Sequence, residues 1–238
     1  MTIFDFHNHF YPPEYLQELQ AAPSNVRVAF DSSQNPILHY PGDYNIVVRD
    51  HRDIAFRETV LKRAGINKQV LTFTTPGTHV ESPQRTAALA RIVNDAFASI
   101  VADRRDRFTA LATLPLNDPA ASAREFERAT TELGFRGARV FSNVNGISLS
   151  DERFWPLYER ADALKAVLYF HPTHPVGVEA IMDYWLMPLL GFTFDTGRGE
   201  AGVQRRRGTL SWDPVGVGAP RWSYPLPGRA ARSRILRV

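Results

Sequence analysis

The sequence predicts an α/β fold in which short strands alternate with helices. Five runs of residues are rich in β-branched and aromatic side chains, and the last four begin about 30 to 40 residues apart. Each gap between these four runs has room for one helix, and strands joined by helical crossovers pair in parallel. The predicted strands are Thr2–Phe10, Gln69–Thr74, Phe108–Leu114, Gly137–Phe141 and Ala166–Phe170.

The helices between these strands carry recognisable start and stop residues. In the segment 84–103, apolar residues recur at steps of three and four, which is typical of an amphipathic helix. Ser82 is its expected N-cap and Pro83 its first residue, a position at which the missing N–H of proline costs nothing. Asp118 and Pro119 repeat this start signal. The predicted helices are 53–64, which ends at Gly65, 84–103, 119–133, which ends at Gly134, and a fourth that begins at Ser150 or Asp151.

The segment Tyr11–Arg52 interrupts the alternation between the first strand and its helix. It is rich in Pro, Asn and Tyr. Long segments without regular structure are uncommon in compact domains and often cover a functional site. We therefore expect an inserted loop or lid at residues 11–52, within a body that extends over residues 1–196.

Residues 197–238 differ in composition from the body. They contain nine Arg, no Lys and two acidic residues, for a net charge of +7, whereas residues 1–196 hold 19 basic and 23 acidic residues, for a net charge of −4. They are also rich in Gly and Pro, so we expect an irregular basic tail that is unrelated to the body. Clustered Arg would suit an arm that binds nucleic acid or an acidic partner. We prefer a frame-shifted or otherwise replaced C-terminus, because GC-rich codons encode Arg, Gly, Pro, Ala and Ser in a wrong frame, and we do not expect a nucleic-acid partner.

The composition restricts the chemistry of any site. The chain has no Cys, which excludes disulfides, thiolate metal sites, iron–sulfur clusters and a Cys nucleophile. Any metal must therefore bind to His and carboxylate side chains. The sequence has no run of about 18 apolar residues and no secretory leader at its start, so we expect a cytoplasmic protein without a membrane partner.

Two histidines in the first predicted strand form the clearest chemical motif. His7 and His9 lie two residues apart, so in a strand both imidazoles point to the same face. His171 lies at the end of the fifth predicted strand, where Pro172 stops it. The carboxyl ends of the strands in a parallel barrel meet at one rim, so we expect the three histidines to converge. Three neutral imidazoles and a water molecule are a sufficient ligand set for a catalytic zinc ion.

The other histidines and two arginines carry weaker signals. His174 is expected to lie in a loop, with a role as a substitute metal ligand as the alternative. Arg49 or Arg52 could meet a substrate carboxylate, although an ordinary surface position is the favoured alternative for both. The remaining histidines, which we expect to be solvated, are His39, His51 and His79.

Seven blocks of the sequence resemble a known family. They are DFHNHF at 5–10 and residues 63–77, 110–115, 134–140, 142–146, 154–158 and 170–172. As a set, they are similar to the aminocarboxymuconate-semialdehyde decarboxylase-like branch of the amidohydrolase superfamily, over about residues 2–196. The resemblance implies a TIM barrel of the (β/α)8 type that acts on a small carboxylated molecule, often aromatic or muconate-like, by non-oxidative decarboxylation or by hydrolysis. It also implies a divalent metal, for which we expect zinc with manganese as the alternative, and a homo-oligomer would be typical of the family.

The resemblance assigns three metal ligands. His7 and His9 match the first-strand metal pair of the family, and His171 matches its fifth-strand ligand. The sixth-strand histidine that acts as acid and base in the family, and its eighth-strand metal aspartate, have no counterpart here, so we expect an incomplete barrel of about five βα units. Because general acid–base catalysis contributes about 10² to 10⁴ in rate, we expect impaired activity. The alternative is a non-catalytic truncated or frame-shifted product, or a scaffold with a basic binding tail.

Overall fold

Parallel strands and helices alternate along most of the chain. The computed structural model describes residues 2–181 and 186–197. The strands are β1 (Phe4–Asp5), β2 (Arg27–Phe30), β3 (Pro36–Tyr40), β4 (Asp43–Ile46), β5 (Lys68–Leu71), β6 (Phe108–Ala110), β7 (Ala112–Thr113), β8 (Gly137–Phe141), β9 (Asn143–Val144), β10 (Ile147–Ser148) and β11 (Val167–His171). The helices are α1 (Pro13–Ala21), α2 (Ile54–Arg63), α3 (Pro83–Asp103), α4 (Pro119–Thr131) and α5 (Trp155–Leu164). Shorter helical turns occupy Arg49–His51, Glu152–Phe154, Val178–Ile181 and Met187–Gly191.

The parallel strands of the described region lie side by side in chain order. β5 pairs in parallel with β1 and β6, and β8 pairs in parallel with β7 and β11. β6 and β7 form one extended stretch interrupted at Leu111, whose N–H still donates to the carbonyl of Leu71 at 3.1 Å. The order is therefore β1, β5, β6 with β7, β8 and β11, with α2 to α5 in the connections. This arrangement confirms the predicted α/β class.

Side-chain caps define the starts of three connecting helices. Ser82, Asp118 and Asp53 each accept a hydrogen bond from the backbone N–H three residues further along. These bonds satisfy N–H groups that have no partner within the helix. Gly65 and Gly134 follow the ends of α2 and α4 with φ angles of 71° and 74°, a backbone conformation that glycine adopts without steric cost. The predicted starts of α2, α3 and α4 are thus confirmed.

The inserted segment 11–52 contains regular structure and is not the loop that its composition predicted. It holds α1 and an antiparallel sheet with the strand order β2–β3–β4. The side chains of Val26, Leu38 and Val47 are buried and belong to the main hydrophobic core. Strand formation here depends on these contacts with the rest of the fold rather than on a clean alternation of apolar residues along the sequence.

β1 is much shorter than the predicted strand Thr2–Phe10. Its ladder with β5 ends at the pair formed by Asp5 and Gln69. Beyond this pair, the Asp5 carboxylate accepts a hydrogen bond from the backbone N–H of His7 at 3.1 Å, and such side-chain turns compete with a strand ladder. The first two candidate ligands therefore lie in an irregular segment that follows the strand.

The main core forms where α3 packs against the parallel strands. Leu89, Val93 and Phe97 on α3 are fully buried, as their spacing along the helix predicts. Gly137 permits a close approach of β8 to β11, because a Cβ atom at this position would lie 2.2 Å from the carbonyl oxygen of Val167. Packing and strand pairing together bring the carboxyl ends of the strands to one side of the core.

The predicted basic tail lies outside the described residues from residue 198 onward. The expectation of an irregular, frame-shifted segment therefore stays a prediction. Among the helices in the described ranges, none has both the length and the apolar character that a membrane span requires.

Candidate metal centre

Three histidines from distant parts of the sequence come together. The ring centroids of His7 and His9 are 5.4 Å apart, and the ring of His171 lies 5.2 Å from each of them. One ligand atom from each side chain lies within 4.8 Å of the others. The structure thus groups the three residues that the sequence singled out as metal ligands.

Neighbouring groups orient two of the imidazoles. His171 ends β11, and its Nδ1 lies 2.5 Å from the carbonyl oxygen of Pro172. A carbonyl only accepts, so the Nδ1–H of His171 donates there and Nε2 is left to bind a cation. The Nδ1 of His7 lies 2.8 Å from the hydroxyl of Tyr169, which is also on β11. Hydrogen bonds at the outer ring nitrogen are typical of metal-binding histidines.

Side chains fasten the segment between His7 and His9 to β5. The Asn8 amide donates to the carbonyl of Val70 at 2.7 Å, and the hydroxyl of Thr72 donates to the carbonyl of Asn8. Asn8 is buried, whereas His7 is exposed and His9 is half-buried. The two imidazoles therefore face away from the Asn8 side chain, which agrees with the alternation that their spacing predicted.

Burial and a nearby cation keep the imidazoles neutral. Burial, with Arg139 as the second cause, lowers the pKa of His9 to about 3 and also lowers the pKa of His7 and of His171. Arg139 on β8 is 3% exposed, and its guanidinium lies 3.5 Å from Nδ1 of His9 and donates to the hydroxyl of Thr74 at 3.0 Å. Neutral imidazole is the form that binds a metal ion, so the histidines are ready to bind at neutral pH.

The cluster fits a divalent transition-metal ion. One ligand atom from each histidine lies within 4.8 Å of the others, which is close enough for the three imidazoles to bind one cation. Imidazole nitrogens suit zinc and similar metals better than calcium or magnesium, which take oxygen ligands. Among the described residues the cluster has three ligands, and a site with three protein ligands leaves a position for water or substrate, as catalytic zinc sites do.

A cavity of about 230 Å³ adjoins the cluster. His9 and His171 line it on one side. The antiparallel sheet lines it through Tyr40 and Asn45, and the loop after β5 lines it through Thr75. The Asn45 amide donates to the carbonyl of Thr75 at 2.6 Å, which joins the sheet to the end of β5. The inserted segment therefore forms one wall of the cavity.

Two further histidines line this cavity: His51, which the sequence analysis did not identify as a site residue, and His174, for which it gave a role as a substitute metal ligand as the alternative to a loop position. His51 ends the helical turn after β4, and its ring centroid lies 6.4 Å from that of His9. Burial lowers the pKa of His51, which the sequence had placed in solvent. His174 lies in a loop, as predicted, but its ring lines the cavity beside Gly42. The place of His51 depends on contacts between distant segments, so no neighbouring residue signals it, whereas His174 follows the strand-end His171 by three residues.

The remaining candidates lie elsewhere. His79 is buried, contrary to the prediction, and its ring packs against that of Phe141 with the ring centroids 5.0 Å apart. His39 is half-buried on β3. Arg49 forms an ion pair with Asp53 at 3.0 Å, and Arg52 donates to a backbone carbonyl at 3.3 Å. Neither arginine is among the described residues that line the cavity.

The fold and the histidine cluster define a class of protein: an α/β body of parallel strands joined by helices, with a candidate metal site at the carboxyl ends of its strands. The chain belongs to the amidohydrolase family, because the family model described as Amidohydrolase matches residues 4–196. This match and the similarities below confirm the decarboxylase-like branch that the sequence blocks indicated.

The related proteins are decarboxylases by name. The chain is 36% identical over 114 residues to the 2-amino-3-carboxymuconate-6-semialdehyde decarboxylase of Dictyostelium discoideum. This alignment covers 48% of this chain and 32% of that protein. The chain is also 34% identical over 152 residues to a gamma-resorcylate decarboxylase of Polaromonas sp. (strain JS666). That alignment covers 61% of this chain and 47% of the relative. The chain thus spans about half the length, or less, of these two curated relatives.

A solved structure shows the same fold with a metal. The dihydroxybenzoic acid decarboxylase from Polaromonas sp. JS666, with bound manganese and the inhibitor 2-nitroresorcinol, matches with a TM-score of 0.65 and 26% identity. The match covers 85% of this chain and 60% of that chain. The described strands of this protein therefore have the barrel-type arrangement of a metal-containing decarboxylase.

Proposed function

We propose that this chain is a metal-dependent decarboxylase that acts on a small aromatic carboxylate. The observation that carries the proposal is the cluster of His7, His9 and His171 beside a cavity of about 230 Å³. The similarity to decarboxylases of aromatic and muconate-like acids supports the reaction class. The cavity is smaller than the pockets of about 300 to 1,000 Å³ that hold drug-sized ligands, which favours a substrate with a single ring.

The three histidines would hold a divalent cation, for which we propose zinc with manganese as the alternative. The imidazole ligands support zinc, and the manganese in the related Polaromonas structure supports the alternative. Bound there, the cation would supply Lewis-acid chemistry that polarises a carboxylate or phenolic oxygen.

The chain's own side chains would bind the substrate and supply a proton. Tyr40 and Asn45 bring a hydroxyl and an amide to the cavity wall, where they suit the polar groups of a hydroxylated ring. When the bond between the ring and the carboxylate breaks, CO₂ leaves and the electron pair on the ring carbon must take up a proton. His51 and His174 line the described cavity outside the metal cluster, so one of these imidazoles is the proposed proton donor.

The test is CO₂ release from 2,6-dihydroxybenzoate, the ligand of a related decarboxylase structure, by purified chain loaded with zinc or manganese. We expect one metal ion per chain and CO₂ release that depends on the metal and is abolished by His171→Ala. His39→Ala is the matched control, since His39 is a half-buried histidine outside the described cavity lining, and it should retain activity. CO₂ release that survives both metal removal and His171→Ala would refute the proposal.

Other expectations from the sequence stay predictions with tests of their own. Hydrolysis in place of decarboxylation would appear as substrate turnover without CO₂. The expected impairment would appear as a low kcat beside that of the Polaromonas decarboxylase. A scaffold with a basic tail would bind DNA at low salt and no metal. A cytoplasmic location and a homo-oligomer would be established by fractionation and by light scattering.

A further inference from the structure

The segment that carries His7 and His9 has no strand ladder to hold it. β1 ends at Asp5, so both histidines lie beyond the last backbone pair with β5. Metal ligands that are not held in position bind weakly, because the site must be ordered when the metal enters. Asn8 and Thr72 fasten the middle of the segment, and the N–H of Phe10 donates to the carbonyl of Thr72 at 3.0 Å. The N–H of His7 and the carbonyl of His9 are left for other groups to hold.

A buried guanidinium lies behind the segment. Arg57 on α2 is 5% exposed, and its Nη1 donates to the carbonyl of His9 at 2.9 Å and to the carbonyl of Asp50 at 2.7 Å. Asp50 belongs to the helical turn that ends with His51. One side chain thus connects α2, the ligand segment and the turn at the cavity wall.

Gln69 on β5 extends this contact to the other end of the segment. Its Oε1 accepts from Nε of Arg57 at 2.5 Å, and its Nε2 donates to the Asp5 carboxylate at 2.5 Å. The second oxygen of this carboxylate accepts the backbone N–H of His7. A guanidinium only donates and a carboxylate only accepts, so the Gln69 amide has a single satisfactory orientation. The network therefore holds the N–H of His7 and the carbonyl of His9.

We propose that Arg57 is a positioning residue of the metal site, which acts through the backbone of His9 and, by way of Gln69 and Asp5, through that of His7. The proposal rests on the proposed function in one respect, namely that the three histidines bind a metal. The planar fork of a guanidinium reaches several acceptors at fixed angles, whereas the ammonium group of Lys is a point charge on a flexible stem. Arg57 is outside the described cavity lining, so it acts on the ligands and not on the substrate.

The test measures Co²⁺ binding and stability separately. Co²⁺ serves as the probe because its visible spectrum reports ligand geometry in folded protein without substrate. In Arg57→Met, we expect the affinity for Co²⁺ to fall about 10- to 100-fold, the size of effect typical for groups that orient metal ligands, and the absorption bands to shift. Arg57→Lys keeps the charge but loses the fork, so its affinity should stay close to that of Arg57→Met.

Arg85→Met is the matched control. Arg85 on α3 is also largely buried, and it donates to the side chain of Glu18 on α1 at 3.1 Å, in a contact that involves no candidate ligand. Its removal should lower the Tm of the metal-free protein while Co²⁺ affinity and spectrum stay those of the wild type. If Arg57→Met does not fold, Gln69→Met interrupts the same network and should also weaken Co²⁺ binding.

Two results would overturn the inference, and they are distinguishable. Wild-type affinity and spectrum in folded Arg57→Met or Gln69→Met would show that the network has no role in positioning, while the metal site stands. Wild-type protein that binds no Co²⁺ would overturn the metal site, and with it both the proposed function and the role of Arg57.

Discussion

Tyr169→Phe removes one oxygen atom next to the candidate metal site. The hydroxyl of Tyr169 lies 2.8 Å from Nδ1 of His7, and the buried ring packs with Val70 and Leu111, contacts that Phe would keep. His7 is the most exposed of the three histidines, and this hydrogen bond adds to the stacking of its ring on that of His171 in holding the ring. Its loss should lower zinc affinity about 10- to 100-fold, equivalent to about 1.4 to 2.7 kcal/mol. The metal-free protein should lose only about 0.5 to 1.5 kcal/mol of unfolding free energy.

The assay is competition for zinc against a chromophoric chelator, together with urea unfolding of the metal-free protein. Tyr158→Phe is the control, because the buried hydroxyl of Tyr158 donates to the carbonyl of Leu149 at 2.6 Å, away from the histidines. We expect both variants to lose similar stability and only Tyr169→Phe to lose zinc affinity. Equal zinc affinity for Tyr169→Phe and the wild type would refute the reasoning.

Three further changes test the electrostatics and packing of the fold. Burial lowers the pKa of His79 from 6.5 to about 4. As the pH falls, the imidazole is therefore protonated in the unfolded chain before it is protonated in the folded protein. The free energy of unfolding should drop by up to about 3 kcal/mol between pH 6.5 and pH 4. Urea titrations at pH 7 and pH 4.5 should show a smaller drop in His79→Gln, and an equal drop would contradict this origin. Gly137→Ala places a methyl group against the carbonyl of Val167 and should cost about 3 kcal/mol or more, measured by thermal unfolding; a wild-type Tm would show that β8 shifts freely. Asp118→Ala removes the N-cap of α4 and should cost about 1 kcal/mol in urea unfolding, with no change expected if the cap bond is absent in solution.

Local signals in the sequence predicted the connecting helices and most of the parallel strands. Ser82 with Pro83 and Asp118 with Pro119 are complete start signals, because an N-cap and a first-turn proline act within a single turn of helix. β8 has the predicted bounds, 137–141. These elements depend on residues close together in the chain, so the sequence was sufficient to place them.

The inserted segment and the first strand were predicted less well. The sheet within 11–52 forms because Val26, Leu38 and Val47 meet the main core, a contact that local composition does not encode. The first strand was predicted too long: β1 ends at Asp5, before His7, because the Asp5 side chain accepts the backbone N–H of His7 and diverts the backbone from the ladder with β5.

The sequence by itself determined the candidate metal ligands: His7 and His9 from their spacing, and His171 from its place at a strand end. Only the tertiary structure decided which groups support them, since Arg57 and His9 are 48 positions apart and Tyr169 and His7 are 162 apart. The directions in which these side chains point follow from how α2, β5 and β11 pack on one another. Bringing residues that are distant in the sequence together costs conformational entropy, and the packing of whole elements offsets this cost. Each such hydrogen bond therefore depends on tertiary packing, and no local pattern specifies it.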